Sequence, residues 1–207
     1  MNIQSLIDSK VVAVIRHANQ SNIVEPVKAL IKGGVVAIEI TVEHEGGLEA
    51  IARLSELNLD LFLGAGTILT PEMAVKAIKA GAQFIVSPIL DEAIIKTVQE
   101  HQVLVVPGVM TPTEIYQAIK LNVDMIKIFP ISNLGSDYIK NIKAPLPNVP
   151  IMVTGGITLD NAFEYIQAKA DVVGIGSQLL DLKKPMDEST YQTISDNAMK
   201  LMNRLTK

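Results

Sequence analysis

Apolar positions along the chain fall into two alternating kinds of segment. Eight short runs rich in β-branched and aliphatic residues, at 11–15, 37–41, 61–66, 84–88, 103–108, 125–130, 151–156 and 172–177, read as buried strands. Between them lie segments such as 22–32, where Ile23, Val24, Val27, Leu30 and Ile31 recur at helical spacing. The runs begin every roughly 19–26 residues, room for one strand, one helix and two short loops. Thr70-Pro71-Glu72 and Thr111-Pro112-Thr113-Glu114 each supply an N-cap threonine, a proline at the first helical position and an acid in the first turn. Gly33-Gly34 and Gly81 stand where helices must stop before the next strand. Residues 2–9 predict a short extra helix across the closed end of the fold. Residues 187–205 predict the last helix, with Ile194, Met199, Leu201 and Met202 among its apolar positions.

Strands alternating with helices imply a parallel sheet with right-handed crossovers. No composition break or linker interrupts the eight units, so the expectation is an α/β chain folded as one (β/α)8 TIM barrel spanning 1–207. An open doubly wound sheet is the alternative.

Composition narrows the function. The 207 residues are 48% hydrophobic with a formal net charge of −4, enough to bury a core without disulfide or metal. No cysteine is present, which excludes a thiol nucleophile and cysteine–zinc sites and suits a reducing cytoplasm. No basic stripe is available to neutralise phosphates, so no nucleic-acid partner is expected. Neither a signal peptide nor an apolar run of about 18 residues is evident, so no membrane association is expected either.

Two charged residues sit inside strand patterns. In the run 125–130, Met125, Lys127 and Phe129 share one face, and Ile126 and Ile128 take the other. In the run 37–41, Glu39 shares a face with Ala37 and Thr41. A lysine held among apolar groups has its charged form disfavoured and becomes a nucleophilic amine near neutral pH. Taken alone, the run suits a snorkelling lysine equally well. A carboxylate on a second strand changes the balance, although a self-satisfying buried ion pair is the plain alternative. An amine that attacks a ketone must lose water, and the resulting iminium weakens a neighbouring carbon–carbon bond. A desolvated glutamate can move the protons this requires, with no metal and no cofactor. His17, His44 and His101 show no paired ligand spacing, and loop or surface roles suit them.

Barrel enzymes place their chemistry at the C-terminal ends of strands. Those ends here include Arg16, Thr41, Thr67, Ser87, Lys127, Thr154 and Ser177. Thr154-Gly155-Gly156-Ile157-Thr158 and Gly174-Ile175-Gly176-Ser177 follow the seventh and eighth strands. Glycines at those two addresses let backbone N–H groups approach an anion, and a helix N-terminus adds a favourable field.

Together these motifs resemble the bacterial KDPG and KHG aldolases, which act on 2-dehydro-3-deoxy-phosphogluconate and 4-hydroxy-2-oxoglutarate. The resemblance covers essentially the whole chain. It rests on Val14-Ile15-Arg16, Gly33-Gly34-Val35, Ile38-Glu39-Ile40-Thr41, Gly64-Ala65-Gly66-Thr67 and the run from Gly81 to Pro88. It continues through Val106-Pro107-Gly108, Ile126-Lys127-Ile128-Phe129-Pro130, Thr154-Gly155-Gly156-Ile157 and Gly176-Ser177. It implies a class I aldolase that cleaves a 2-keto-4-hydroxy acid to pyruvate and an aldehyde. Lys127 would form the imine, Glu39 would be the general acid/base, and Thr67 would contact the pyruvate carboxylate. Phe129 would pack by the lysine, Gly155, Gly156 and Ser177 would hold a phosphate, and Arg16, Thr41, Pro88 and Thr154 complete the substrate site. The resemblance further implies a homotrimer. A sugar-phosphate isomerase or epimerase, or a noncatalytic phosphate-ligand binding barrel, are the alternatives. One position departs from the pattern: Glu43 stands where the family carries an arginine that binds the substrate's carboxylate. Arg16 taking over the anion, a loop turning Glu43 outward, or a changed substrate would each accommodate it. Altered specificity or weakened activity on the standard substrate is the expectation.

Overall fold

The computed structural model describes residues 2–206. The chain order is α1 (Ile3–Ser9), β1 (Val11–Ile15), α2 (Val24–Lys32), β2 (Ala37–Thr41), α3 (Gly47–Ser55), β3 (Phe62–Gly66), α4 (Pro71–Lys79), β4 (Phe84–Val86) and α5 (Glu92–Glu100). It continues with β5 (Leu104–Val106), β6 (Gly108–Val109), α6 (Pro112–Lys120), β7 (Ile126–Ile128), α7 (Asp137–Lys143), β8 (Ile151–Thr154), α8 (Ala162–Gln167), β9 (Val172–Ile175) and α9 (Glu188–Leu205). Every strand pairing is parallel, and the spatial order is β5-β4-β3-β2-β1-β9-β8-β7-β6.

The two ends of that order, β5 and β6, are halves of a single strand interrupted at Pro107. Proline lacks the N–H a ladder needs, so the strand breaks there. Gly108 resumes it at a crowded point, since a Cβ at that position would lie 2.3 Å from the backbone of Pro88. One half pairs with β4 and the other with β7, which closes eight strands into the expected (β/α)8 barrel.

Alternation along the strands sorts the core into two layers. Val12, Val14, Ala37, Phe62, Phe84, Val86, Val106, Met125, Met152 and Val172 fill the barrel, and α1 plugs its lower end with Leu6, flanked by Ile3 and Ile7. Val11, Ala13, Ile15, Ile38, Ile40, Ile126 and Ile128 face outward and bury the helices. Thr70 and Thr111 cap α4 and α6 as their motifs imply, and Glu114 completes a capping box by accepting from Thr111 N–H. α8 departs from the expectation. It is six residues long and begins at Ala162, so the glycines at 155–156 do not lie on its first turn. Asn161 holds the intervening loop instead, its side chain accepting from Thr158 N–H and donating to the Gly156 carbonyl.

Candidate active site

Glu39 and Lys127 meet across the barrel axis. Their strands, β2 and β7, are the second and sixth of eight, hence opposite one another, and both side chains point inward. Lys127 Nζ lies 3.7 Å from Glu39 Oε1, with 6% and 1% of the two side chains exposed. The Lys127 ammonium also sits 5.2 Å from the centre of the Phe129 ring. Glu39 Oε2 and Thr154 Oγ1 are buried without a hydrogen-bond partner among the described residues. Each such atom costs about 1–3 kcal/mol unless it is satisfied, which is characteristic of groups that await a ligand.

Glycines on neighbouring strands make room for these side chains. A Cβ at Gly66 would fall 1.9 Å from Glu39 Oε1, and one at Gly174 would fall 2.4 Å from Thr154 Oγ1. Thr67 follows Gly66 with a left-handed backbone (φ 59°).

Above the pair, the loops after β1, β7, β8 and β9 enclose a cavity of about 340 Å³. Arg16, Phe129, Thr154, Gly155, Gly156 and Ser177 line it, so six of the residues singled out in the sequence converge on one space. Phe129 links it to Lys127. The N–H groups of Gly156, Ile157, Ser177 and Gln178 donate to no acceptor among the described residues, which makes this wall receptive to an anion. A larger cavity of about 510 Å³, bounded by Ile119, Val123 and the 145–150 segment, has no charged side chain in its lining and lies by the N-terminal end of β8.

Other sequence candidates lie elsewhere. Thr41 is buried with its hydroxyl donating to the Ile15 carbonyl at 3.4 Å, so it braces β1 against β2 and does not line the cavity. Pro88 abuts Gly108 at the strand break, and neither it nor Thr67 lines the cavity. Sequence reasoning did not single out Thr158 or Gln178 as site residues, although both line it. Their adjacency to the two glycine turns was the available signal.

The rim over β1 and β2 is charged. Arg16 Nη1 lies 3.6 Å from Glu43 Oε1, and His44 Nε2 lies 3.7 Å from the same oxygen. The rings of His17 and His44 stack with centroids 4.2 Å apart. Desolvation, then the charges of Lys183 and His44, hold the His17 imidazole below its ordinary pKa. Among the described residues, no group of three or more His, Asp or Glu side chains gathers as a metal ligand set. No helix there is long and apolar enough to cross a membrane.

Comparison with known proteins bears on this geometry. The family model "KDPG and KHG aldolase" matches residues 3–196. A 2-dehydro-3-deoxy-phosphogluconate aldolase of Treponema pallidum is 36% identical over 158 residues, covering 76% of this chain and 75% of that one. A protein of the same description from Pseudomonas aeruginosa is 30% identical over 201 residues, covering 97% and 91%. Among solved structures, the KDPG aldolase of Legionella pneumophila, with pyruvate captured as a covalent carbinolamine intermediate, superposes with a TM-score of 0.89. It is 25% identical, with 97% of this chain and 98% of that one covered.

Proposed function

The chain belongs to the KDPG and KHG aldolase family, and on that premise we propose that Lys127 forms the imine with the substrate ketone while Glu39 moves the protons beside it. The reaction is the class I cleavage of a 2-keto-4-hydroxy acid to pyruvate and an aldehyde, a carbon–carbon lyase chemistry. The observation that carries this reading is the 3.7 Å approach of a buried amine and a buried carboxylate at the C-terminal mouth of the barrel.

The unprotonated Lys127 amine adds to the C2 carbonyl, and the carbinolamine loses water to give an iminium. Glu39, directly or through a water, takes the proton of the C4 hydroxyl as the C3–C4 bond breaks and its electron pair flows toward the iminium nitrogen. The aldehyde leaves, the enamine is protonated at C3, and hydrolysis frees pyruvate and restores the amine. The second oxygen of Glu39 has no hydrogen-bond partner among the described residues, which leaves it available to a substrate hydroxyl or water. Thr67 serves the pyruvate carboxylate, with Thr41 and Pro88 shaping the wall behind it. Arg16, Thr154, Gly155, Gly156 and Ser177 receive the far end of the substrate, which 2-dehydro-3-deoxy-6-phosphogluconate and 4-hydroxy-2-oxoglutarate would present differently.

Borohydride reduction in the presence of pyruvate, followed by peptide mass mapping, tests the assignment. The expected adduct is on the peptide carrying Lys127; an adduct elsewhere, or none, overturns it. The working form is read as a cytoplasmic homotrimer, for which Leu69 and Ile89, exposed just beyond β3 and β4, offer apolar contact surface. Light scattering should then give about three times the 22.4 kDa chain mass, and a monomer at micromolar concentration refutes it.

A further inference from the structure

We propose that Glu43 sets the substrate range of this site: it holds Arg16, the one cation lining the cavity among the described residues, and leaves the enzyme with little preference for phosphorylated over unphosphorylated 2-keto-4-hydroxy acids. The inference rests on the aldolase reading and concerns only the far end of the substrate.

The cavity recognises its occupant with two kinds of group. The uncommitted N–H groups of Gly156, Ile157, Ser177 and Gln178 are neutral donors. They can serve a hydroxyl oxygen as well as a phosphate oxygen, so discrimination in favour of a dianion falls to a full positive charge. Among the lining residues Arg16 alone carries one. Its guanidinium instead faces Glu43, which is set there by the fold. β1 and β2 are neighbours, with Ile15 paired to Ile40, so the residues just past their ends come together. Glu43 is the less exposed partner, at 22% of its side chain against 58% for Arg16, and His44 approaches the same carboxylate oxygen. The carboxylate is the anchored member and the arginine the long, adjustable one.

Among the described residues no other group at the rim replaces the lost charge. His17, stacked on His44, is held toward its neutral form. Lys183 is near enough to act on His17 but does not line the cavity. A phosphate entering the pocket must draw the guanidinium from Glu43 and remain near that carboxylate. An uncharged hydroxyl end does neither.

The test uses the full chain and a matched pair of six-carbon 2-keto-3-deoxy acids, with and without a 6-phosphate, reading pyruvate release. The unmodified enzyme should show kcat/KM values for the two within about tenfold of one another. Glu43→Gln should raise the phosphorylated-to-unphosphorylated ratio at least about tenfold, the worth of one charge-assisted contact, mainly through KM. Adding Arg16→Gln to Glu43→Gln should cancel that rise. A strong native preference for the phosphate, of order a thousandfold, or a ratio that Glu43→Gln leaves in place, overturns the proposal. Calorimetric binding of inorganic phosphate reads the same effect without turnover. Glu43→Gln should tighten it about tenfold, and unchanged affinity overturns the proposal. If neither acid releases pyruvate and no borohydride adduct forms, the aldolase reading fails instead, and the phosphate titration still decides the role of Glu43.

Discussion

Gly66→Ala should disable catalysis without unfolding the barrel. Gly66 lies on β3, beside the strand that carries Glu39, and its backbone is not in the left-handed region. An alanine is therefore conformationally acceptable there, and the only obstacle is the added methyl. That carbon would stand 1.9 Å from Glu39 Oε1 and 2.6 Å from Cδ and Cγ, whereas ordinary contact begins near 3.4 Å. The carboxylate must move by about 1.5 Å. A shift of that size is large against the 3.7 Å separation from Lys127 Nζ, so the pair cannot keep its present arrangement. Misplacing a reacting group by about 1 Å costs on the order of a hundredfold in rate. Steady-state pyruvate release should accordingly show kcat reduced about a hundredfold. Borohydride trapping at Lys127 should persist, because the amine itself is not displaced. Overpacking of about 1–3 kcal/mol should lower the melting temperature modestly. A kcat within threefold of the native value would refute the claim that Gly66 exists to admit the Glu39 carboxylate.

Other perturbations separate the roles of neighbouring groups. Lys127→Met should abolish imine trapping and, by stranding a buried carboxylate, cost about 3–5 kcal/mol in urea unfolding. Adding Glu39→Gln should recover most of that stability and none of the activity, and failure to recover would mean that the pair contributes no uncompensated charge. Leu6→Ala, which uncorks the lower end of the barrel, should cost about 2–5 kcal/mol in the same assay while the mouth keeps its KM. Glu114 accepts from Met110 and Thr111 N–H groups, which depress its folded pKa. Its contribution is present above the unfolded carboxylate value and is lost as pH falls through the depressed folded value. Glu114→Gln should therefore be less stable near neutrality and show a shallower acid-side decline, and parallel pH profiles would contradict this.

The apolar pattern located every strand but overran four of the eight at the C-terminal end. The run at 84–88 became Phe84–Val86, and that at 125–130 became Ile126–Ile128. Hydrophobicity reports burial, while a strand is defined by its ladder. Met125 is fully buried just before its ladder, and Phe129, just after it, still donates its N–H to the Val109 carbonyl while its ring packs by the lysine. The overruns thus coincide with the site, since the chain leaves the sheet at these positions to build the mouth. The break at Pro107 has a similar origin. Val-Pro-Gly reads as an interruption, yet only the closed topology shows that its two flanks serve different neighbours. The stacking of His17 on His44 was equally invisible, because loop backbones set it and neither residue belongs to a periodic pattern.

What the sequence could not carry at all was distance, and the catalytic pair illustrates why. Glu39 and Lys127 are each recognisable as charges in apolar strands, but three strands, hence four inter-strand spacings, stand between them along the sheet. At about 4.8 Å per strand a flat sheet would hold them about 19 Å apart, too far for either to sense the other. Closure brings them to 3.7 Å, because the second and sixth strands of an eight-stranded barrel face each other across the axis. The same closure makes the interior crowded enough to require glycine at 64, 66 and 174, opposite Phe84, Glu39 and Thr154. Chemistry and packing therefore share one cause. The geometry that lets an acid and an amine meet also dictates which neighbouring positions must carry no side chain, so those glycines belong to the active site as surely as the charged pair does.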